Sequence, residues 1–282
     1  MDLSFVDILM RGVAGLIVGF TIGLTGVGGG ALIVPVLILF FKMPSPEAVG
    51  TASLYAALSR MYAFFEHYKL KTINFSIAFI FLSGALPGSI LAAWTINKYI
   101  NLNKGNGPKI ESFQANLKTF IACMLILSVL MLLLQIFKTR KKKTAVLDQK
   151  NVAISKSPSY SKEKISNKKK IFGAFLGLFV GGIMGATSMG AVITIPLLIL
   201  FFGLSSEKTV GTSILISVLL TLSATVIYGG NGQLNFQTAL IMTIASLAGV
   251  FVGSRLAVKL PEKQLKLVVT CLIFFATILM FI

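Results

Sequence analysis

The sequence predicts an all-α polytopic membrane protein built from two homologous halves. Of its 282 residues, 55% are hydrophobic and only 12% are charged, too few to cover the core of a soluble domain of this size. Windows such as "FSIAFIFLSGALPGSILAAW" carry no charge over about 20 residues, the length that an α-helix needs to cross a hydrocarbon layer about 30 Å thick. The third observation is an internal repeat.

The repeat aligns "IVPVLILFFKMPSPEAVGTASL" in the first half with "TIPLLILFFGLSSEKTVGTSIL" in the second. The register continues downstream and, after a one-residue gap, also upstream. Agreement over this length indicates a duplicated structural unit. The matched pairs are Pro35 with Pro196, Gly50-Thr51 with Gly211-Thr212, Asn74 with Asn235, Gly88 with Gly249, and Gly19, Gly23 and Gly28 with Gly181, Gly185 and Gly190.

Each half begins with a long apolar segment, at about 8 to 42 and 171 to 203, that is interrupted by glycines. Each glycine in a helix interior costs about 1 kcal/mol relative to alanine, so the segment is one tilted helix, two helices or a re-entrant pair. Three ordinary spans follow in each half, giving 8–10 membrane segments in total. They lie at about 47 to 66, 74 to 97 and 117 to 137, and at about 207 to 228, 235 to 257 and 264 to 282.

A basic linker separates the two halves. The net charge is +17, and residues 138–170 contain twelve lysines and arginines against Asp148 and Glu163. Basic loops between spans stay in the cytoplasm and attract anionic headgroups. No interleaving of aromatic residues and no binding motif accompany these lysines, so no nucleic-acid partner is expected. The chain therefore divides into a first transmembrane repeat (1–137), a cytoplasmic linker (138–170) and a second transmembrane repeat (171–282).

Loop charges predict that the two repeats are inverted. The loop "YGGNGQLN" is uncharged and favours the outside, whereas "SRLAVKLPEKQLK" carries four cations and favours the inside. With the linker inside, each glycine-interrupted segment has to cross twice or dip in and return, as in many secondary transporters. The loop at 98–116 disagrees with this scheme, because the scheme places the three lysines of this loop outside.

The duplicated "G-x-x-x-G-x-x-G…P" segments, the following "VGT" and the "LNF…G" start of the third span resemble the sulfite exporter TauE/SafE family of membrane permeases. The resemblance covers both hydrophobic halves and implies transport of sulfite, sulfonates or other small sulfur-containing or organic anions. One departure is visible, because "GATSMGAV" replaces "GLTGVGGGA" in the second copy. The two half-sites are therefore not chemically equivalent.

A substrate site is predicted where the two helix breaks meet near the bilayer midplane. A broken membrane helix exposes backbone groups, which is tolerated only inside protein or beside a water-filled cavity, and helix N-terminal amides hold anions. The alternative is that these glycines only permit close helix packing and that the hydroxyls bond to their own backbone. The candidates are Thr25, Gly26, Gly28, Gly29, Gly30, Thr51, Ser53, Thr187, Ser188, Gly190, Thr212 and Ser213.

Arg60 is a further candidate, for a gating or charge role, because it falls within an apolar span opposite Thr221 of the other copy. Ionisable residues inside a span are costly and are usually functional. Arg60 would attract an anion or pair with a carboxylate. Alternatively, it snorkels to the interface or packs against Glu66.

These features favour a secondary transporter that moves a small anion by alternating access. An anion channel with a continuous pore is the alternative. No set of carboxylates, nucleophile and base, or metal ligands suggests an enzyme, and no cofactor or metal is expected. The expected location is the inner, or plasma, membrane of a bacterial cell, with the linker cytoplasmic and a homo-oligomer left open.

Overall fold

A computed structural model of the chain describes residues 4–25, 30–147, 166–189, 191–204 and 206–257, together with residues 271, 274 and 278. This part of the chain is helical, and six of its helices are long and apolar enough to cross a membrane. The predicted all-α polytopic fold is confirmed. The helices are α1 (Phe5–Thr25), α2 (Gly30–Leu39), α3 (Ser45–Lys69), α4 (Phe75–Leu102), α5 (Gly107–Leu147), α6 (Asn167–Thr187), α7 (Ala191–Phe202), α8 (Ser206–Gly230) and α9 (Phe236–Ala257).

Both glycine-interrupted segments are broken helices. α1 ends at Thr25 before α2 begins at Gly30, and α6 ends at Thr187 before α7 begins at Ala191. α2 and α7 have 10 and 12 residues, which makes them about 15 and 18 Å long, too short to cross the bilayer alone.

Helix α5 extends beyond the predicted end of its span, to Leu147. The first part of the basic segment therefore continues this helix, because lysine and arginine are good helix formers. The span predicted at 264–282 lies outside the described residues except for three helical positions.

Helices of one half pack on helices of the other. α1 packs along α9, and its counterpart α6 packs along α4. The same residues mediate both contacts: Gly19 lies against the backbone of Ser246, and its counterpart Gly181 lies against the backbone of Ala85, the counterpart of Ser246. A Cβ atom at either glycine would overlap that backbone, so only glycine allows this approach.

A pair of matched hydrogen bonds also joins the halves. The backbone N–H of Asn74 donates to Thr212 Oγ1 at 3.0 Å, and the N–H of Asn235 donates to Thr51 Oγ1 at 2.9 Å. Each asparagine also caps its own helix, since Asn74 Oδ1 accepts from the third residue of α4 and Asn235 Oδ1 accepts from the third residue of α9. The contacts are reciprocal, as in an isologous interface.

α3 and its counterpart α8 run antiparallel through the middle of the bundle. Gly50, near the start of α3, lies against Tyr228 near the end of α8, whereas Gly211, near the start of α8, lies against Thr72 just after α3. We call the end of the bundle where α3 begins the first end, and the end where α8 begins the second end.

The glycine-interrupted segment of the first half starts and finishes at the first end. Arg11 of α1 donates to Thr238 at the beginning of α9, and Thr51 of α3 accepts from Asn235 immediately before α9. α1 therefore leaves the first end and α2 returns to it.

Candidate anion-binding site

The break between α6 and α7 is shaped by Thr187 and Ser188. Thr187 Oγ1 donates to the carbonyl of Ile183 at 2.7 Å and accepts from the N–H of Met189 at 3.2 Å. Ser188 has φ 60°, in the left-handed region, and its N–H donates to the carbonyl of Met184 at 2.7 Å. The turn thus ends α6 as a left-handed C-cap and redirects the chain into α7.

Ser188 also presents an unsatisfied donor. Its side chain is fully buried, and its Oγ has no hydrogen-bond partner among the described residues. A buried hydroxyl without a partner costs about 1–3 kcal/mol. Because it sits just before α7, where a helix N-terminus carries partial positive charge, the turn is suited to an anion or an ordered water molecule.

The hydroxyls at the start of α3 and α8 are already engaged. Thr51 and Thr212 accept from Asn235 and Asn74, as described above, and they lie at opposite ends of the bundle. Ser53 donates to the carbonyl of Val49 at 2.8 Å, and Ser213 donates to that of Val210 at 2.8 Å. These four side chains do not converge on one site, and local bonding accounts for both serines.

Thr212→Val should therefore lower stability and leave substrate affinity unchanged. It removes the acceptor of the Asn74 N–H, a loss of about 1–3 kcal/mol when a partly buried donor is left unpaired. Thr51→Val is the matched variant in the other half and should cost about the same. Thermal unfolding in detergent and the KM for uptake separate the two roles, and a raised KM with unchanged stability would restore the threonines as substrate ligands.

The first break contains most of the remaining candidates. Gly26, Gly28, Gly29 and Gly190 lie outside the described residues. Thr25 and Gly30 are described only as the last residue of α1 and the first of α2. The meeting of the two breaks at the midplane stays a prediction.

Arg60 occupies the centre of the bundle. It lies ten residues after Gly50 and twelve before Thr72, the two points where α3 meets the opposite ends of α8. The side chain is 8% exposed, and both terminal nitrogens, Nη1 and Nη2, are buried without a partner among the described residues. The guanidinium therefore does not reach an interface, which rules out snorkelling.

A neutral polar cluster lies next to Arg60. The Tyr55 hydroxyl interacts with the charge of Arg60 and lies close to the hydroxyls of Ser59 and Ser246. The hydroxyls of Tyr55 and Ser59 also lack a hydrogen-bond partner in the described part of the chain, while Ser246 donates to the carbonyl of Thr243 at 2.7 Å. One cation and two buried hydroxyls without a hydrogen-bond partner, with no carboxylate beside them among the described side chains, form a cluster suited to an anion. The side chain of Glu66, the other possible partner of Arg60, lies outside the described ones.

Sequence reasoning missed Tyr55, Ser59 and Ser246. The available signal was the spacing of Tyr55 and Ser59, four residues apart and thus on one face of α3. Ser246 belongs to α9 of the other half, so its approach depends on tertiary packing. The counterparts of Tyr55, Ser59 and Arg60 are Ile216, Leu220 and Thr221, so the second half does not reproduce the cluster.

The cluster is chemically suited to hold an oxyanion. A guanidinium offers donors in a planar fork that matches two oxygens of a carboxylate, sulfite or sulfonate group. The hydroxyl of Tyr55, which interacts with Arg60, can serve as a further donor to such a group. Among the described residues no group of three His, Cys, Asp or Glu side chains is placed to hold a metal ion.

The sequence is similar to those of known membrane transporters. The sequence model of the family described as Sulfite exporter TauE/SafE matches residues 12–280. The chain is 26% identical to "Probable membrane transporter protein YjnA" of Bacillus subtilis (strain 168) over 92% of this chain and 94% of that protein. It is also 26% identical to "Probable membrane transporter protein YunE" of the same organism, over 94% of this chain and 93% of the relative.

No solved structure matches the chain. The family match extends over both halves and the linker, and the names of the relatives describe membrane transporters rather than enzymes. Together with six helices long enough to span a bilayer, these matches establish that the chain belongs to the sulfite exporter TauE/SafE family of multi-pass membrane transporters.

Proposed function

We propose that the protein is a secondary transporter that carries a small anion, such as sulfite, a sulfonate or another sulfur-containing or organic anion, by alternating access. One observation carries this proposal: the buried guanidinium of Arg60, midway between the two ends of the bundle, has no hydrogen-bond partner among the described residues. The substrate class rests on the family resemblance and on the charge of this residue.

The energetics of Arg60 favour a charged substrate. An arginine at the centre of a membrane helix costs about 2.5–3.5 kcal/mol even on insertion scales that allow relaxation. No buried counter-ion among the described residues offsets this cost. An anion that enters the site offsets this cost, so the site favours binding of negative charge over neutral solutes.

We propose further that the halves form an inverted repeat that rocks around Arg60. The antiparallel course of α3 and α8 and the exchanged packing of α1 with α9 and of α6 with α4 support this relation. In such transporters the site lies near the midplane, between the repeats. Arg60, midway between the two ends of the bundle on α3, is proposed to lie at that level, and the partner of α3 across the interface is α8.

The helix breaks would then line part of the route that the anion takes through the protein. Ser188 lies close to Gly185, whose carbonyl accepts from Tyr228 at 3.0 Å, and Tyr228 packs on Gly50 near the first end. Arg60 is ten residues farther along α3, a rise of about 15 Å. The break residues of both halves are proposed to guide the anion to or from Arg60 through free amides and hydroxyls.

Ser188 supplies a test of that role. Ser188→Ala and Ser188→Gly both remove the unpartnered hydroxyl, but only glycine relieves the left-handed backbone, which costs a non-glycine residue about 1 kcal/mol. If the hydroxyl contacts the anion, both variants should raise KM for uptake, by about tenfold for a lost hydrogen bond to a charged group. Equal KM values in wild type and both variants would leave Ser188 a helix cap only, with Ser188→Gly the more stable.

Counterflow in proteoliposomes distinguishes the carrier from an anion channel. Vesicles containing the purified protein are loaded with unlabelled sulfite and diluted into labelled sulfite, with taurine, sulfoacetate and thiosulfate as competitors. A carrier accumulates label transiently and saturates, whereas a channel equilibrates the label and conducts far faster. Absence of flux for every sulfur anion, in protein shown to be folded, would remove the proposed substrate class.

We place the second end in the cytoplasm of a bacterial cell, with the protein in the inner membrane. α5 starts from the first end and runs toward the second end, where α6 begins. The basic linker that joins them therefore emerges at the second end, beside Lys69 and Lys71. The cations of this end would lie against anionic headgroups. Protease protection of a linker tag in right-side-out and inverted vesicles checks this orientation.

A further inference from the structure

An apolar crevice opens between α1 and α2, away from Arg60. It has a volume of about 450 Å³ and is lined by apolar side chains together with Thr21. Thr21 Oγ1 donates to the carbonyl of Val18 at 2.7 Å. Several lining residues, among them Leu9, Val13 and Phe40, are exposed on the outer face of the bundle. In a membrane protein such an opening faces lipid chains.

Arg11 stands at the mouth of this crevice, and Lys42 directly follows one of its lining residues. The guanidinium of Arg11 lies over the ring of Phe41, a lining residue, with 5.6 Å between the guanidinium carbon and the ring centroid. Its Nη1 donates to Thr238, and its buried Nε has no partner among the described residues. Lys42, the next residue after Phe41, is exposed. Apolar walls with a cationic rim match the two parts of an anionic phospholipid.

The second half acts as an internal control, because it lacks both cations. The counterparts of Arg11 and Lys42 are Gly173 and Gly203. Met10 and Val13 of the crevice correspond to the larger Phe172 and Phe175, and Phe172 packs on Phe201 with 5.2 Å between ring centroids. The two cations are therefore a property of the first half and not of the duplicated unit.

The dimensions also suit one acyl chain. The crevice follows α1 from Leu9 to Thr21, a distance of about 18 Å, close to the thickness of one leaflet of a hydrocarbon layer about 30 Å thick. Its volume lies in the usual range for ligand pockets, about 300–1,000 Å³. We propose that the crevice between α1 and α2 binds an anionic phospholipid, with one acyl chain along α1 and the phosphate at Arg11 and Lys42.

Lipid retention tests this proposal on the full-length protein. Wild type and variants are reconstituted in equal mixtures of phosphatidylglycerol and phosphatidylcholine, extracted in detergent, passed over a sizing column and analysed for bound lipid by mass spectrometry. Wild type should retain phosphatidylglycerol selectively. The double variant Arg11→Gln, Lys42→Gln should bind it about 30-fold more weakly, as expected for two lost surface cations.

Two further variants separate the acyl chain from the headgroup. Met10→Phe with Val13→Phe copies the second half and should also abolish retention by filling the crevice. Lys71→Gln is the matched control, since Lys71 is an exposed lysine with φ 53°, close to the φ 49° of Lys42. The proposal fails if the crevice variant retains lipid like wild type, if phosphatidylcholine is retained equally, or if soluble glycerophosphate displaces the lipid. Elution profiles confirm that each variant is folded.

Discussion

Arg60→Met should abolish anion uptake while leaving the protein folded and at least as stable as wild type. Removing one partner of a buried charge pair costs about 2–5 kcal/mol of binding, so transport at low substrate concentration should fall by about 30-fold or more. Replacing a buried charge by an apolar side chain of similar volume is often neutral or stabilising by about 1–4 kcal/mol. Uptake into proteoliposomes and thermal unfolding without substrate measure both effects.

Two controls sharpen this prediction. Arg60→Lys keeps the charge but loses the planar fork, and should retain part of the activity. Thr221→Met alters the counterpart in α8, whose hydroxyl donates to the carbonyl of Ser217 at 2.8 Å, and should leave uptake near wild type. If Arg60→Met unfolds the protein, the arginine serves the fold; if it transports normally, the anion does not bind there.

Gly181→Ala should destabilise the protein strongly, whereas Gly182→Ala should not. A Cβ at Gly181 would overlap the backbone of Ala85 in α4, and only a shift of the two helices could relieve it. Overpacking of this kind typically costs about 1–3 kcal/mol, and here it would also disturb the small-residue contact between α4 and α6. A Cβ at Gly182 has its nearest neighbour, Gly88 O, at 4.0 Å.

Both substitutions replace glycine by alanine in the same helix, so the contribution of helix propensity to stability cancels when the two variants are compared. Gly182→Ala should be neutral or stabilising by up to about 1 kcal/mol because alanine favours the helix. Gly19→Ala, in the reciprocal contact with Ser246, should behave like Gly181→Ala. Thermal unfolding in detergent and elution profiles give the comparison, and similar unfolding temperatures for Gly181→Ala and Gly182→Ala would contradict the close approach.

The sequence was sufficient to predict the helices but not their partners. Apolar length and the repeat located both broken segments, and the break after Thr187 lies in the "GATSMGAV" stretch that the repeat aligns with the glycines of the first half. The packing of α1 and of α6 on helices of the opposite half depends on contacts such as that of Gly19 with Ser246, two residues that lie far apart in the chain. No local pattern specifies which surface a small-residue stripe will meet.

The candidate site was only partly predictable for the same reason. Thr51 and Thr212 were matched by the repeat, but the repeat cannot distinguish a ligand from a helix-capping acceptor, which is the role the hydrogen bonds give them. Arg60 was identified because charge inside an apolar span is rare. Its neighbours Tyr55 and Ser246 come together only when α3 packs on α9.

Equilibrium binding of labelled sulfite to the purified protein is the most direct test of an anion site at Arg60. Saturable binding by wild type, displaced by a sulfonate and lost in Arg60→Met but retained in Thr221→Met, is the predicted result. Binding of equal affinity to wild type and folded Arg60→Met would contradict the account, because the anion would then be held elsewhere in the bundle.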